Sequence, residues 1–368
     1  MTDHDPFHIN YCPRRGRYLV AAERLSVGHA ICSGTPIARA LSISNVRTRC
    51  HNCWSPLQST LRCSSCHFAH YCSVSCQKAS WAQHKNECLV IKHVCIPRQV
   101  QPTPSLLVLF NTILQQPSDP LSNMVSNWEL IPEKRKAEFM QMAVLLNEML
   151  NAVQDFHHAH SLKSLAQLFA RHHVNSFTIT DGEMQPIGIG IYPYPMHLLN
   201  HSCRPNAVVV FEQSNSRAIV KASRVINPNE EITIAYCDVI REMAQRHPEL
   251  LEQYGFECSC KGPEDTDLLR SSVKLQGRFL EMLDAEDHDA AEQILSSIQA
   301  EKIYQYARIQ LGLHFLKLGK LRLFLRRPGA KPCLDRALSI LRKLLVSDDP
   351  VLAEAEQLYQ EASYQPDR

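Results

Sequence analysis

"LLNHSCRPNAVVVFE", residues 198–212, is the stretch on which the fold turns. A polar hexapeptide holding Asn200, His201 and Cys203 sits between apolar residues and a strand-like run, where a simple turn would more often carry Gly or Ser. Polar groups placed among apolar strands need partners, so the stretch reads either as a capped turn or as a wall satisfying a buried polar ligand. Working outward, short β-type runs surround it: "SFTIT" (176–180), "IGIGIY" (187–192), "RAIVKA" (217–222) and "EEITIAY" (230–236), separated by turn residues. Near the N-terminus, "RRGRYLVAAERLSVGHAICSGTPIARAL" (14–41) repeats the pattern: a Gly turn, a strand, a turn at Ser26–Gly28 and a second apolar strand.

Between these β regions lies a cysteine cluster. Seven of the 15 cysteines fall in 50–88, as Cys50-x2-Cys53-x9-Cys63-x2-Cys66-x5-Cys72-x3-Cys76-x7-His84-x3-Cys88. Pairs two or three residues apart let one turn present both ligands to a tetrahedral zinc, so eight ligands make two ions. A disulfide framework is the competing reading, and the His at a Cys-like position argues against it. Spacing alone leaves sequential and interleaved ligand sets open. After the cluster, "PRQVQPTPS" (97–105) reads as a Pro-rich linker. Residues 105–174 then switch to helical periodicity, with Pro132 opening a helix whose Phe139, Met142, Leu145, Leu146 and Leu150 form a core stripe. The histidines of "DFHHAHS" and "ARHHVNS" have no Cys partners near them and read as surface residues. From about 265 onward there is no strand signal and at least three amphipathic helical patterns.

Composition bounds the rest. At 368 residues, two or three packed units are expected. No apolar run approaches the ~20 residues that span a bilayer, so a membrane is not expected as partner. No secretory signal is visible, which points to a cytosolic or nuclear home. The net charge of +2, with acids and bases interspersed, offers no basic stripe, and direct DNA binding is not expected. A monomer is the expected state.

The cysteine run, with Tyr71 before Cys72 and "CQKASWAQHKNEC", resembles the MYND zinc finger. That resemblance implies interleaved ligands, Cys50, Cys53, Cys72 and Cys76 on one ion and Cys63, Cys66, His84 and Cys88 on the other, with proline-containing peptides as available partners. The ordered set "NSFTITDGEMQPIGIGIYP", "LLNHSCRPNAVVVF", "NPNEEITIAYCD" and "QYGFECSC" resembles the split SET domain of the SET-and-MYND lysine methyltransferases. The implied fold is α+β: a β-rich SET domain split by a MYND finger and a helical insert, followed by an all-α helical-repeat C-terminal domain. Its expected boundaries are 7–49 (SET N-terminal part), 50–88 (finger), 89–104 (linker), 105–174 (helical insert), 175–240 (SET core), 241–263 (post-SET) and 264–368 (helical domain).

The resemblance implies a protein-lysine N-methyltransferase that uses S-adenosylmethionine on histone or other protein lysines. The alternative is a catalytically weak scaffold or corepressor. Carried over by position, Arg15, Gly16 and Arg17 belong to the methionine end of the cofactor, Asn127 and Asn175 to its pocket, Asn200 and His201 to its grip, and Phe256 to its adenine side. Tyr236 matches the tyrosine beside the transferring methyl group and serves both catalysis and cofactor binding. Phe177 and Tyr192 are candidates for the lysine channel wall. Cys203, Cys258 and Cys260 imply a third zinc, but the family's fourth cysteine is absent, since Lys261, Gly262 and Pro263 follow. The site is either completed by water or a neighbouring side chain, or left empty. Tyr18 stands where the family has a glycine; if that position needs φ > 0, a Tyr costs on the order of 1–2 kcal/mol and crowds the cofactor.

Overall fold

The computed structural model describes residues 5–13, 15–118, 121–260 and 266–364. The strands are β1 (Phe7–Cys12), β2 (Gly16–Ala21), β3 (Ala30–Gly34), β4 (Ala38–Leu41), β5 (Leu61–Arg62), β6 (His70–Tyr71), β7 (Phe177–Thr180), β8 (Pro186–Ile191), β9 (Asn200–His201), β10 (Ala207–Phe211), β11 (Ala218–Ala222) and β12 (Thr233–Ile234). The first five helices are α1 (Val74–Val90), α2 (Pro104–Gln115), α3 (Glu133–Asn151), α4 (Leu162–Asn175) and α5 (Met243–Tyr254). The C-terminal six are α6 (Thr266–Asp284), α7 (His288–Ser297), α8 (Ala300–Ile303), α9 (Arg308–Phe324), α10 (Ala330–Leu344) and α11 (Pro350–Tyr364).

Residues far apart in sequence build the small sheets. β4 pairs with β8, which pairs with β7; β3 pairs with β11, which pairs with β10; and the very short β9 and β12 run parallel. The finger and helical insert therefore interrupt one β-rich body, whose core holds Leu19, Leu25, Leu198, Val220 and Ile232. Helix α2 begins where Thr103 accepts the Leu106 N–H and Pro104 supplies the fixed φ of a first turn. Leu106 through Ile113 are all buried, because this helix is wedged between β4, β8 and the α3–α4 pair. Helix α4 is capped by Ser161, which accepts the Ser164 N–H, and it delivers Asn175 to the rim of the β body. Helices α6 to α11 share a separate Leu-rich core and meet the β body through Val208, Val210 and Ile219. No helix among the described residues is long and apolar enough to cross a membrane.

The structure corrects three expectations. Helix α1 runs on to Val90 and continues as a π-helical turn over Ile91–Cys95, with Ile91, Val94 and Cys95 buried, so the first half of the supposed 89–104 linker is core. His172 is not a surface residue: it is 2% exposed, and neither ring nitrogen has a partner. Its place on the inner face of α4 buries it, which a pattern counting only apolar types passes over. Tyr18 is not strained either. The left-handed φ of +71° belongs to Gly16, while Tyr18 lies in the regular β1–β2 ladder opposite Asn10 with Arg15 stacked over its ring at 5.2 Å.

Candidate functional site

The hexapeptide of 200–205 crosses the segment 230–236, and the crossing explains its polarity. Strands β9 and β12 are too short to satisfy their own backbones, so side chains complete the pairing. Asn206, 1% exposed, accepts the Thr233 N–H at 2.8 Å and donates to the Glu231 carbonyl at 2.8 Å. His201 Nδ1 accepts the Tyr236 N–H at 3.1 Å. The Tyr236 hydroxyl donates back to the Leu199 carbonyl at 2.6 Å. Every polar residue of the opening stretch named here is thereby held by a partner some 30 residues away in sequence.

Beside the crossing lies a cavity of about 1350 Å³. Arg15, Gly16, Arg17, Asn127, Asn175, Asn200, His201, Tyr236 and Phe256 all border it, as does Phe177. Tyr192 does not, a correction to its expected place in a channel wall. It is fully buried, its hydroxyl donates to the Ser216 carbonyl at 2.6 Å, and its ring packs edge-on against Phe177, supporting the wall from behind.

Two features of the cavity were missed in the sequence. The first is Glu231, which does not itself border the cavity but whose carboxylate accepts Asn200 Nδ2 at 3.0 Å and pairs with Arg15, joining two residues that do. The second is Tyr254, at the end of α5, whose ring lies 4.7 Å from that of Tyr236 and whose hydroxyl donates to the Tyr236 carbonyl at 3.4 Å. With Phe256 and His201 these rings make an aromatic cluster around Tyr236. Burial pushes the Tyr236 hydroxyl well above its ordinary pKa, with the Tyr254 and Glu231 charges adding to the rise, so it stays a neutral phenol. Burial likewise pushes His201 down to about 4, helped by the positive Arg246. Asn175 donates to the Val125 carbonyl at 2.8 Å and Arg17 to that of Asn123, fixing the loop that carries Asn127.

Three ligand sets are assembled in the structure: Cys50, Cys53, Cys72 and Cys76; Cys63, Cys66, His84 and Cys88; and, bordering the cavity, His201, Cys203, Cys258 and Cys260. Within each, the ligand atoms lie within 4.8 Å of one another. A zinc with Zn–S bonds of about 2.3 Å places tetrahedral sulfurs about 3.8 Å apart. Cys53 and Cys72 are 3.7 Å apart, Cys63 and Cys88 3.7 Å, and Cys203 and Cys258 3.7 Å. These spacings fit zinc and are far too long for the ~2.05 Å of a disulfide, and none of the cysteines in the three sets is in a disulfide. The two finger sets are the interleaved ones. The stretch after Cys260, with Lys261, Gly262 and Pro263, lies outside the described residues.

A SET-domain family model matches residues 16–237, more than half of the chain. Histone-lysine N-methyltransferase SMYD3 of Mus musculus is 32% identical over 302 residues, covering 78% of this chain and 70% of that protein. The chain belongs to the SET-and-MYND branch of the SET-domain family. The SMYD3 of Homo sapiens matches at 32% over 78% of the chain and 70% of its own length, and N-lysine methyltransferase SMYD2-A of Danio rerio at 26% over 77% and 65%. Among solved structures, the SET domain of LSMT bound to lysine and AdoHcy aligns over 99% of this chain and 86% of its own, at 11% identity and a TM-score of 0.39. In this SET-and-MYND chain the finger, the insert and the C-terminal helices all lie outside the strands that form the crossing.

Proposed function

We propose that this chain is an S-adenosylmethionine-dependent protein-lysine N-methyltransferase. The observation that carries the proposal is the convergence of Asn200, His201, Tyr236, Phe256 and the Arg15–Arg17 turn on one cavity, in a chain of this family. The cavity suits the cofactor on independent grounds. Asn127 Oδ1 is buried at its edge with no partner, a polar atom awaiting a donor. Its size exceeds the ~300–1,000 Å³ of ordinary ligand sites and leaves room for a lysine side chain as well.

Arg15, Gly16 and Arg17 would hold the amino-acid end of the cofactor, Asn127, Asn175 and Asn200 its polar edge, His201 the crossing strand, and Phe256 the ring side. When bound, the cofactor supplies an electrophilic methyl group on a positive sulfur. The protein must bring in a neutral amine, and at pH 7 an unperturbed lysine pays about 4–5 kcal/mol to lose its proton. Tyr236, Tyr254, Phe256 and Phe177 meet that need by desolvating the ammonium, which lowers its pKa and releases the proton to solvent at the open mouth. Tyr236 borders the cavity, and because its hydroxyl proton is committed to the Leu199 carbonyl, its oxygen can only accept and would orient an incoming N–H. Rate then comes from alignment and fixed dipoles, with no general base required.

The division at 7–49, 50–88, 105–174, 175–240, 241–263 and 264–368 remains our reading of the domains. We read the finger as a site for proline-containing peptides, supported by Trp81, 52% exposed on α1. The even charge supports protein rather than DNA as partner, and a cytosolic or nuclear compartment and a monomeric state remain part of our reading. The test is methyl transfer from labelled S-adenosylmethionine to a panel of histones and lysate proteins. Wild type should label lysine, and Tyr236→Phe should lower the rate about 10–100-fold by leaving the Leu199 carbonyl unpaired and the amine unoriented, a loss of roughly 1–3 kcal/mol. No transfer together with no calorimetric binding of the cofactor would overturn the reading in favour of a scaffold.

A further inference from the structure

His197 precedes Asn200 by one short turn, Met196–Leu198. Met196 and Leu198 are buried in the core of the β body and pin that turn, which leaves the imidazole between them on the cavity wall. Both ring nitrogens are shielded from solvent, and neither has a hydrogen-bond partner among the described residues. A shielded polar group without a partner is uncommon in a folded protein, and one bordering a ligand-sized cavity marks a contact still to be made.

Charge supplies a second observation. Burial, and then the positive charge of nearby Arg17, pushes His197 below its ordinary pKa, so at pH 7 the imidazole is neutral and carries one N–H donor. Arg17 borders the same cavity and donates to the Asn123 carbonyl, but it makes no ion pair among the described residues. Its neighbour Arg15 does, with Glu231, whose carboxylate is also taken by Asn200. One part of the wall therefore brings together an unpaired cation and an unused N–H. Such a pair suits an anionic group, because hydrogen bonds to a charged acceptor are the stronger kind.

S-adenosylmethionine has a single anionic group, its carboxylate. Its amine and its sulfur are both positive, and Arg17 repels them, so the carboxylate is the part that fits beside Arg17 and His197. We propose that His197 is a cofactor-binding residue whose ring N–H donates to that carboxylate alongside the Arg17 guanidinium. The inference rests on the reading of the cavity as a methyl-donor site and adds to it a residue that selects the charged end of the donor.

The test is calorimetric titration of the full chain with S-adenosylhomocysteine and with its decarboxylated analogue, which lacks only the carboxylate. Wild type should bind S-adenosylhomocysteine at least about tenfold more tightly than the analogue. His197→Leu should weaken S-adenosylhomocysteine about ten- to hundredfold, the effect of losing one hydrogen bond to a charged group, while changing the analogue less than about threefold. An unchanged analogue also shows that the variant keeps a folded pocket. His197→Gln, which restores an N–H donor, should recover most of the lost affinity. Equal weakening of both molecules in His197→Leu, unchanged binding of S-adenosylhomocysteine, or no recovery in His197→Gln would each overturn the proposal. If wild type binds neither molecule, the reading of the cavity fails and this assignment with it, whereas a failure confined to the variants leaves that reading in place.

Discussion

Replacing Glu231 with glutamine tests whether the polar walls of the cavity act together. Glu231 is the one carboxylate joining Arg15 and Asn200, with side-chain exposures of 16% for Glu231 and 55% for Arg15. The exposed Arg15 contact is worth about 0–1 kcal/mol after solvent screening. The bond from Asn200 to a charged acceptor is worth about 1.5–3 kcal/mol, and a neutral amide in its place keeps about 1. Glu231→Gln should therefore loosen Asn200 and Arg15 by roughly 2 kcal/mol in total, or about 30-fold in cofactor affinity if both must be ordered before binding. Calorimetric titration with S-adenosylhomocysteine measures that change directly. A parallel thermal melt separates local loosening from global unfolding. An affinity within threefold of wild type, in a variant that melts normally, would refute the idea that Glu231 organises the site.

Two further outcomes follow from buried groups away from the cavity. His172 is held near a pKa of about 3 by burial and by neighbouring His173, against 6.5 when free. The folded state therefore binds fewer protons, and the stability this residue permits above about pH 6.5 is lost as pH falls toward 3. Between pH 7 and 5.5, wild type should lose about 1.3 kcal/mol more than His172→Leu in urea unfolding, and parallel curves would show the ring to be solvated. Lys221 donates to the Leu345 carbonyl at 2.6 Å, tying β11 to the end of α10. Half-burial limits this bond to about 1 kcal/mol, so Lys221→Met should raise amide exchange in 343–349 about fivefold while leaving the finger unchanged.

Much of the architecture was legible because it rests on local signals. The Cys and His spacings predicted zinc ligands, and the structure holds both finger sets at zinc-compatible distances. The change from alternating to helical periodicity predicted α2 to α4, and Thr103–Pro104 marks the start of α2. Other features left no local trace. Glu231 is one of two adjacent acids, and its neighbour Glu230 pairs instead with Arg224 and Asn206. Tyr192 and Phe177 look alike as strand aromatics, yet only Phe177 borders the cavity.

By itself the sequence determined where strand-like and helical runs alternate, which thiols are spaced to share an ion, and that a polar hexapeptide among apolar residues needed partners. Only the tertiary structure decided the partners: which acid joins Arg15 to Asn200, which histidine is buried without one, and which ring nitrogen of His201 accepts the Tyr236 N–H. Spacing and periodicity are properties of neighbouring residues. Burial and hydrogen-bond direction arise where chain segments cross, and residues 200–206 meet 230–236 only because the whole β body has folded around them.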